Sequence, residues 1–289
     1  MKAVKLAGGL GNQMFQYAFA KAHQHKHKTP VLFDKTVYHP AYNRSFDLAH
    51  FNCKMEFTTP AKNRWPKILR KLLKRDGKKF KSNFGAHYFN DVKESHGLKF
   101  YPHLLENTDN AYYAGCFQSE KYFIDIRDIL LKDFTLKEKL NAANSAILED
   151  IKSKNSVSLH IRRGDYITVN NGIHFAVEQD YYQKAVSYIA EKIKYPYFFV
   201  FSDDAKWCKE NLKLELPMQI VNINDALHGF YDLELMKNCK HNIIANSTLS
   251  WWGAWLNENR DKVVIMPQKW NLLDTSTYEN IFPQGWIKL

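Results

Sequence analysis

K-A-V-K-L-A-G-G-L-G-N-Q-M-F-Q-Y-A-F-A-K-A, Lys2 to Ala22, followed shortly by T-P-V-L-F-D, Thr29 to Asp34, is the stretch that decides the architecture. A short apolar run, Ala3 to Ala7, enters a glycine-rich turn, Gly8 to Gln13. Beyond the turn Met14, Phe15, Ala18, Phe19 and Ala22 recur at the spacing of one helix face. T-P-V-L-F-D then predicts a second strand ending at Asp34. Strand, turn, helix, strand is a βαβ opening, and a parallel α/β architecture follows from it.

Outward from that opening the pattern is uneven. Residues 38 to 110 show scattered Pro, Asn and His and little periodicity. A-Y-Y-A-G-C-F, Ala111 to Phe117, predicts a strand, and Ser119 to Leu131 a helix. The polar, helix-prone stretch Lys137 to Lys154 separates two differently patterned halves, so the expected domains are 1–145 and 146–289. That division suits a chain of 289 residues.

The second half is more regular. Strands are expected at Val157–Ile161, Tyr197–Phe201, Gln219–Val221, Asn242–Ala245 and Val263–Met266. Helices are expected between them at Asp180–Lys192, Ala205–Leu212, Ala226–Asn238 and Leu249–Leu256. Such alternation is a doubly wound parallel sheet.

Composition narrows the function classes. With 45% hydrophobic and 15% aromatic residues the chain can bury a large core, which excludes disorder. Cys53, Cys116, Cys208 and Cys239 are far apart, so neither a zinc site nor a disulfide framework is indicated. No segment reaches the length of a membrane span and no signal peptide is evident, so the expected location is the cytoplasm. A net charge of +11 favours anionic company. Between Lys67 and Lys81 eight of fifteen residues are Lys or Arg, with Ile68, Leu69, Leu72 and Leu73 at helical spacing. This basic amphipathic segment is either a solvated surface helix or a peripheral contact with the anionic inner membrane surface. No nucleic-acid motif accompanies it.

Ligands of open parallel sheets bind outside the carboxyl ends of the strands. Four exits carry polar groups: G-G-L-G-N-Q, R-R-G-D-Y (Arg162 to Tyr166), S-D-D (Ser202 to Asp204) and N-S-T-L-S (Asn246 to Ser250). Arg162 and Arg163 at a tight turn suit a diphosphate; an Arg–Asp ion pair at the strand end is the plainer alternative. Asn246, Ser247 and Thr248 are all helix-capping types, and a helix start with three short polar side chains suits an anion. Asp203 and Asp204 divide between ligand contact and capping of the next helix. In the glycine turn, Gly11, Asn12 and Gln13 offer backbone approach and amides to a ligand. The same turn half imitates the dinucleotide fingerprint, yet Met14 stands where its third glycine belongs. Trp251, Trp252 and Trp255 are expected to pack rather than to stack on sugar.

Taken together, G-G-L-G-N-Q-M-F-Q-Y-A (Gly8–Ala18), H-I-R-R-G-D-Y (His160–Tyr166), F-S-D-D (Phe201–Asp204) and N-S-T-L-S-W-W-G-A-W-L (Asn246–Leu256) resemble glycosyltransferase family 11, the α-1,2-fucosyltransferases. Leu249 departs from the aromatic common at its position. The resemblance implies a bacterial enzyme of GT-B architecture, two Rossmann-like domains facing each other across a cleft. The amino-terminal domain would serve the acceptor and the carboxy-terminal one GDP-L-fucose. It implies transfer of L-fucose with inversion to the 2-hydroxyl of a galactose-containing glycan, with no metal and no cofactor. By the same resemblance Arg162, Arg163, Asn246, Ser247 and Thr248 face the diphosphate, and His160 and Asp203 the guanine. Asp165 is the candidate base, with a salt bridge to Arg163 as its alternative role. A polyanion-binding module and an NAD-dependent dehydrogenase are the competing classes.

Overall fold

The computed structural model describes residues 1–58, 90–93, 99–168, 174–272 and 279–289, with backbone alone at 90–93, Asp165, Thr168 and Glu279. The basic segment Lys67–Lys81 lies outside the described residues.

Two parallel sheets organise the chain. In the first, β1 (Lys2–Lys5), β2 (Val31–Asp34), β3 (Asn90–Lys93) and β4 (Ala111–Ala114) lie in the order β2-β1-β4-β3. Register pairs Lys2 with both Val31 and Ala111. The opening βαβ is therefore as expected, with α1 at Leu10–His27 between its strands. Two short helical pieces, the 3₁₀ turn Asp47–His50 and α2 (Pro102–Glu106), punctuate the irregular region.

The second sheet holds β5 (Asn155–Ile161), β6 (Pro196–Ser202), β7 (Met218–Val221), β8 (His241–Ile243), β9 (Val264–Met266) and β10 (Ile287–Lys288). Its order is β10-β9-β8-β5-β6-β7, every pair parallel. Helices α6 (Gln179–Lys192) and α7 (Ala205–Asn211) close one face around Val157, Leu159 and Ile161. On the other face lie α4 (Ala142–Ser153), α8 (Gly229–Asn238) and α9 (Thr248–Leu256). With both faces covered, β5 is buried from Ser156 onward, which is why it reads as apolar with only small or exceptional polar residues. The boundary expected at 145/146 falls inside α4. That helix starts on the Asn141 cap and sends Ile151 into a core with Phe199, Phe201 and Val221 of the second sheet.

Between the two sheets, α1 and α9 pack side by side, and both are buried on nearly every face. The Phe15 ring stands 4.6 Å from Trp251 and 4.9 Å from Trp252, centroid to centroid. Trp252 Nε1 donates to the Gly11 carbonyl at 3.0 Å and Trp251 Nε1 to that of Ile281 at 2.8 Å. The tryptophans are core, as expected. The helix expected over Ser119–Leu131 is broken instead into 3₁₀ turns at Glu120–Tyr122 and Ile124–Ile126 before α3 (Arg127–Asp133). Phe123 leaves helical geometry at φ −142°, ψ 9°, with its ring stacked 5.3 Å from Trp252 and edge-on 5.5 Å from Trp255. Tertiary packing overrides local propensity there.

Candidate active site at the strand exits

In the second sheet the chain passes from β5 to β6 and β7 on one side, then returns to β8 and β9 on the other. The reversal lies between β5 and β8, and crevices at such a switch point are where ligands of this architecture sit. Arg162 and Arg163 leave β5 there, and Asn246 to Thr248 leave β8. Tyr166, on the short turn α5 (Gly164–Thr168), joins the two exits by donating its hydroxyl to the Asn246 carbonyl at 2.9 Å.

The arginine pair is not left to repel itself. Arg162 Nε stands 3.1 Å from Asp203 Oδ2, and Arg163 Nε 3.4 Å from Asp204 Oδ2. Asp203 also accepts from the Arg163 backbone N–H at 2.9 Å, while the Arg163 guanidinium lies 3.8 Å from the Trp207 ring centroid. The Arg–Asp ion pair weighed as the plainer alternative is thus present twice, supplied by two aspartates at the adjacent exit of β6. Asp204 accepts from Trp207 N at 3.0 Å and so caps α7, as one of the pair was expected to do. Asp203, expected at a guanine edge, also braces the arginine turn through one contact on each of its oxygens. Gly164 follows from the same packing, since a Cβ there would come 2.6 Å from Asp203 Oδ2.

Three buried polar atoms in this region have no hydrogen-bond partner among the described residues: the Tyr182 hydroxyl of α6, beside the Arg162 turn, and two others. One is His160 Nδ1, at 4% exposure; the other is Asn246 Oδ1, at 2%. Burial drives the His160 imidazole down to about 4, with Arg162 adding to the depression and Asp203 opposing it. It is therefore neutral at pH 7. Asn246 spends its amide N–H groups on the carbonyls of Phe175 at 3.0 Å and Trp270 at 3.2 Å. Buried polar atoms are ordinarily paired, so exceptions gathered at one switch point make it the candidate ligand site.

The glycine turn behaves differently from its expectation. A Cβ at Gly11 would meet the Thr248 carbonyl carbon and Oγ1 at 2.5 Å and Leu249 N at 2.7 Å. What approaches Gly11 is thus α9, not an outside molecule. Gln13 is also structural. Its Nε2 donates to Gly8 O at 3.1 Å and Ser45 O at 2.8 Å, and its Oε1 accepts from Asp47 N at 2.9 Å and Leu48 N at 3.2 Å. No bonding capacity remains for a ligand. Asn12 Oδ1 accepts from Gln118 Nε2 at 2.8 Å, which ties the helix start to the exit of β4.

The Gly11–Thr248 contact has an electrostatic consequence. Gly11 meets Thr248, and four residues on Phe15 meets Trp251 and Trp252, so α1 and α9 run in the same direction with their N-termini together. Two positive helix ends of about half a charge each then lie together just beyond Asn246, whose carbonyl Tyr166 of the arginine turn holds. Ser247, the N-cap of α9, makes no side-chain cap bond. Asp165 lies in the first turn after Gly164, and its side chain is outside the described residues.

Such a site on two parallel α/β units defines a GT-B type glycosyltransferase fold, and solved structures agree. Fucosyltransferase NodZ from Bradyrhizobium superposes with TM-score 0.51 over 87% of this chain and 92% of its own, at 13% identity. Arabidopsis thaliana FUT1, solved with GDP, gives 0.50 over 91% and 69%, at 11% identity. The family model for glycosyl transferase family 11 matches residues 1–289, and this chain belongs to that family. The O-antigen biosynthesis glycosyltransferase WbnK of Escherichia coli is 37% identical over 98% of this chain and 99% of its own. An α-1,2-colitosyltransferase of the same organism is 31% identical over 99% and 97%. Mouse galactoside α-(1,2)-fucosyltransferase 2 matches 47% of this chain and 41% of its own at 29% identity.

Proposed function

We propose that this glycosyltransferase moves L-fucose from GDP-L-fucose to the 2-hydroxyl of a galactose-type acceptor, with inversion and without a metal. The observation that carries the donor half is the pair of parallel helix N-termini meeting at Thr248, on the strand exit that Tyr166 ties to the arginine turn. When the sugar–phosphate bond breaks, charge develops on the β-phosphate oxygens. Fixed N–H groups at Thr248 and its neighbours, with Arg162 oriented by Asp203, can meet that charge without reorganising. His160 and Asn246, each with an unpartnered buried atom, are the groups to complete the nucleotide's contacts. The acceptor half rests on relatives whose names specify α-1,2 transfer, one of a fucosyl and one of a colitosyl group. Asp165 is the candidate base on the acceptor hydroxyl.

The dehydrogenase alternative loses support at the glycine turn. A dinucleotide would need backbone space at Gly11 that α9 occupies. The deciding experiment is GDP binding by calorimetry, followed by transfer from GDP-fucose and from GDP-colitose to galactosides, with and without chelator. Arg162→Ala should lose roughly 10²-fold or more in turnover. Full turnover in that variant, or absence of GDP binding by the parent chain, refutes the reading. A preference for the colitosyl donor would keep the site and change its sugar.

A further inference from the structure

Helix α9 is treated differently at its two ends. Its N-terminus carries no side-chain cap, whereas two cations from different parts of the chain close its C-terminus. Lys262 Nζ donates to the carbonyls of Ala254 at 2.8 Å and Asn257 at 2.6 Å. Arg127 Nη2, from α3 of the first unit, donates to Trp255 O at 2.8 Å and more weakly to Asn257 O at 3.5 Å, with its guanidinium 4.8 Å from the Trp255 ring. Helices commonly end on a left-handed glycine that closes the last carbonyls through backbone bonds. Here the C-cap is Asn257 at φ −61°, ψ 121°, and cations take those carbonyls.

We infer that Lys262 and Arg127 are positioning residues for the donor diphosphate: they cancel the negative pole of α9, so its positive pole acts undiminished at Thr248. The inference rests on the donor site proposed above. Nine residues of helix put the cations roughly 13 Å from that pole, too far for contact yet within electrostatic range. The ammonium sits in a costly place. Burial and the neighbouring Arg127 pull Lys262 down to about 8, against the opposing pull of Glu120 and Glu258. Local rules are broken in this way most often where function repays the strain.

The near-neutral titration of Lys262 supplies a test that a merely structural role would not pass. GDP affinity is measured by calorimetry from pH 6.5 to 9.5 for the parent chain, Lys262→Arg and Lys262→Met. The parent should weaken about three- to tenfold relative to Lys262→Arg as pH rises through 8, because only the lysine loses its charge. Lys262→Met should bind at the weaker level throughout and meet the parent at high pH. Ionisation of the guanine itself is common to all three and cancels in the ratios. A parent-to-Arg ratio that stays constant with pH overturns the inference, and that pair decides even if Lys262→Met folds poorly. Failure of the parent chain to bind GDP at any pH overturns the donor reading beneath it.

Discussion

Gly11→Ala should destabilise the protein and impair it together, against the ordinary expectation for a helical glycine. Gly11 is the second residue of α1, and alanine within a helix is favoured over glycine by about 1 kcal/mol. The added Cβ, however, would lie 2.5 Å from the Thr248 backbone and 2.7 Å from Leu249 N, atoms that cannot rotate away. Ordinary contact needs nearly 1 Å more, so the two helix starts must separate by about that amount. Overpacking of this kind costs about 1–3 kcal/mol, enough to reverse the gain from propensity. Separation would also loosen the Trp252–Gly11 hydrogen bond and move Thr248, and a 1 Å misplacement near a reacting group costs about 10²-fold in rate. Denaturant unfolding of both proteins gives the stability difference, and turnover with GDP-fucose gives the rate. A variant that is more stable than its parent and equally active refutes the close approach of the helices.

Gly164→Ala meets a softer neighbour, the end of the Asp203 side chain, so stability should change by less than about 1 kcal/mol. Swinging Asp203 aside breaks its bonds to Arg162 and to Arg163 N, so GDP affinity should change several-fold; calorimetry of both proteins checks this. Acid should destabilise the fold through His160. Its folded form resists protonation down to about 4 while the unfolded form takes a proton near 6.5, so stability attributable to this residue is lost as pH falls from about 6.5 towards 4. In unfolding curves against pH, His160→Phe should flatten that fall, and an unchanged slope would count against a buried neutral imidazole.

The parallel sheets were legible because period and breakers sit within single segments: V-L-F-D, F-F-V-F and I-I-A each lie between turn residues. The four polar exits were legible for the same reason. Their partners were not. Arg162 and Asp203 are forty-one residues apart and meet only because β5 and β6 are adjacent, which no local pattern states. Gly11 and Gln13 were assigned to a ligand because a glycine and an amide after a strand look alike whether a phosphate or a neighbouring helix approaches. The short β10, two residues long, is too brief to carry a period of its own. Asp232 also escaped notice, although burial raises its carboxyl to about 6 where Asn224 holds it. One of the two acids in D-L-E-L-M gives no sign of that environment.

The interlocked aromatic rings of Phe15, Phe123, Phe134, Trp251 and Trp252 make the seam between the two halves a shared interior rather than a removable joint. Neither half could be exchanged alone for that of another family member. A grafted amino-terminal half would need its own matching α9 surface, so exchange of specificity in this scaffold should proceed through surface loops while the inner helices travel as a pair.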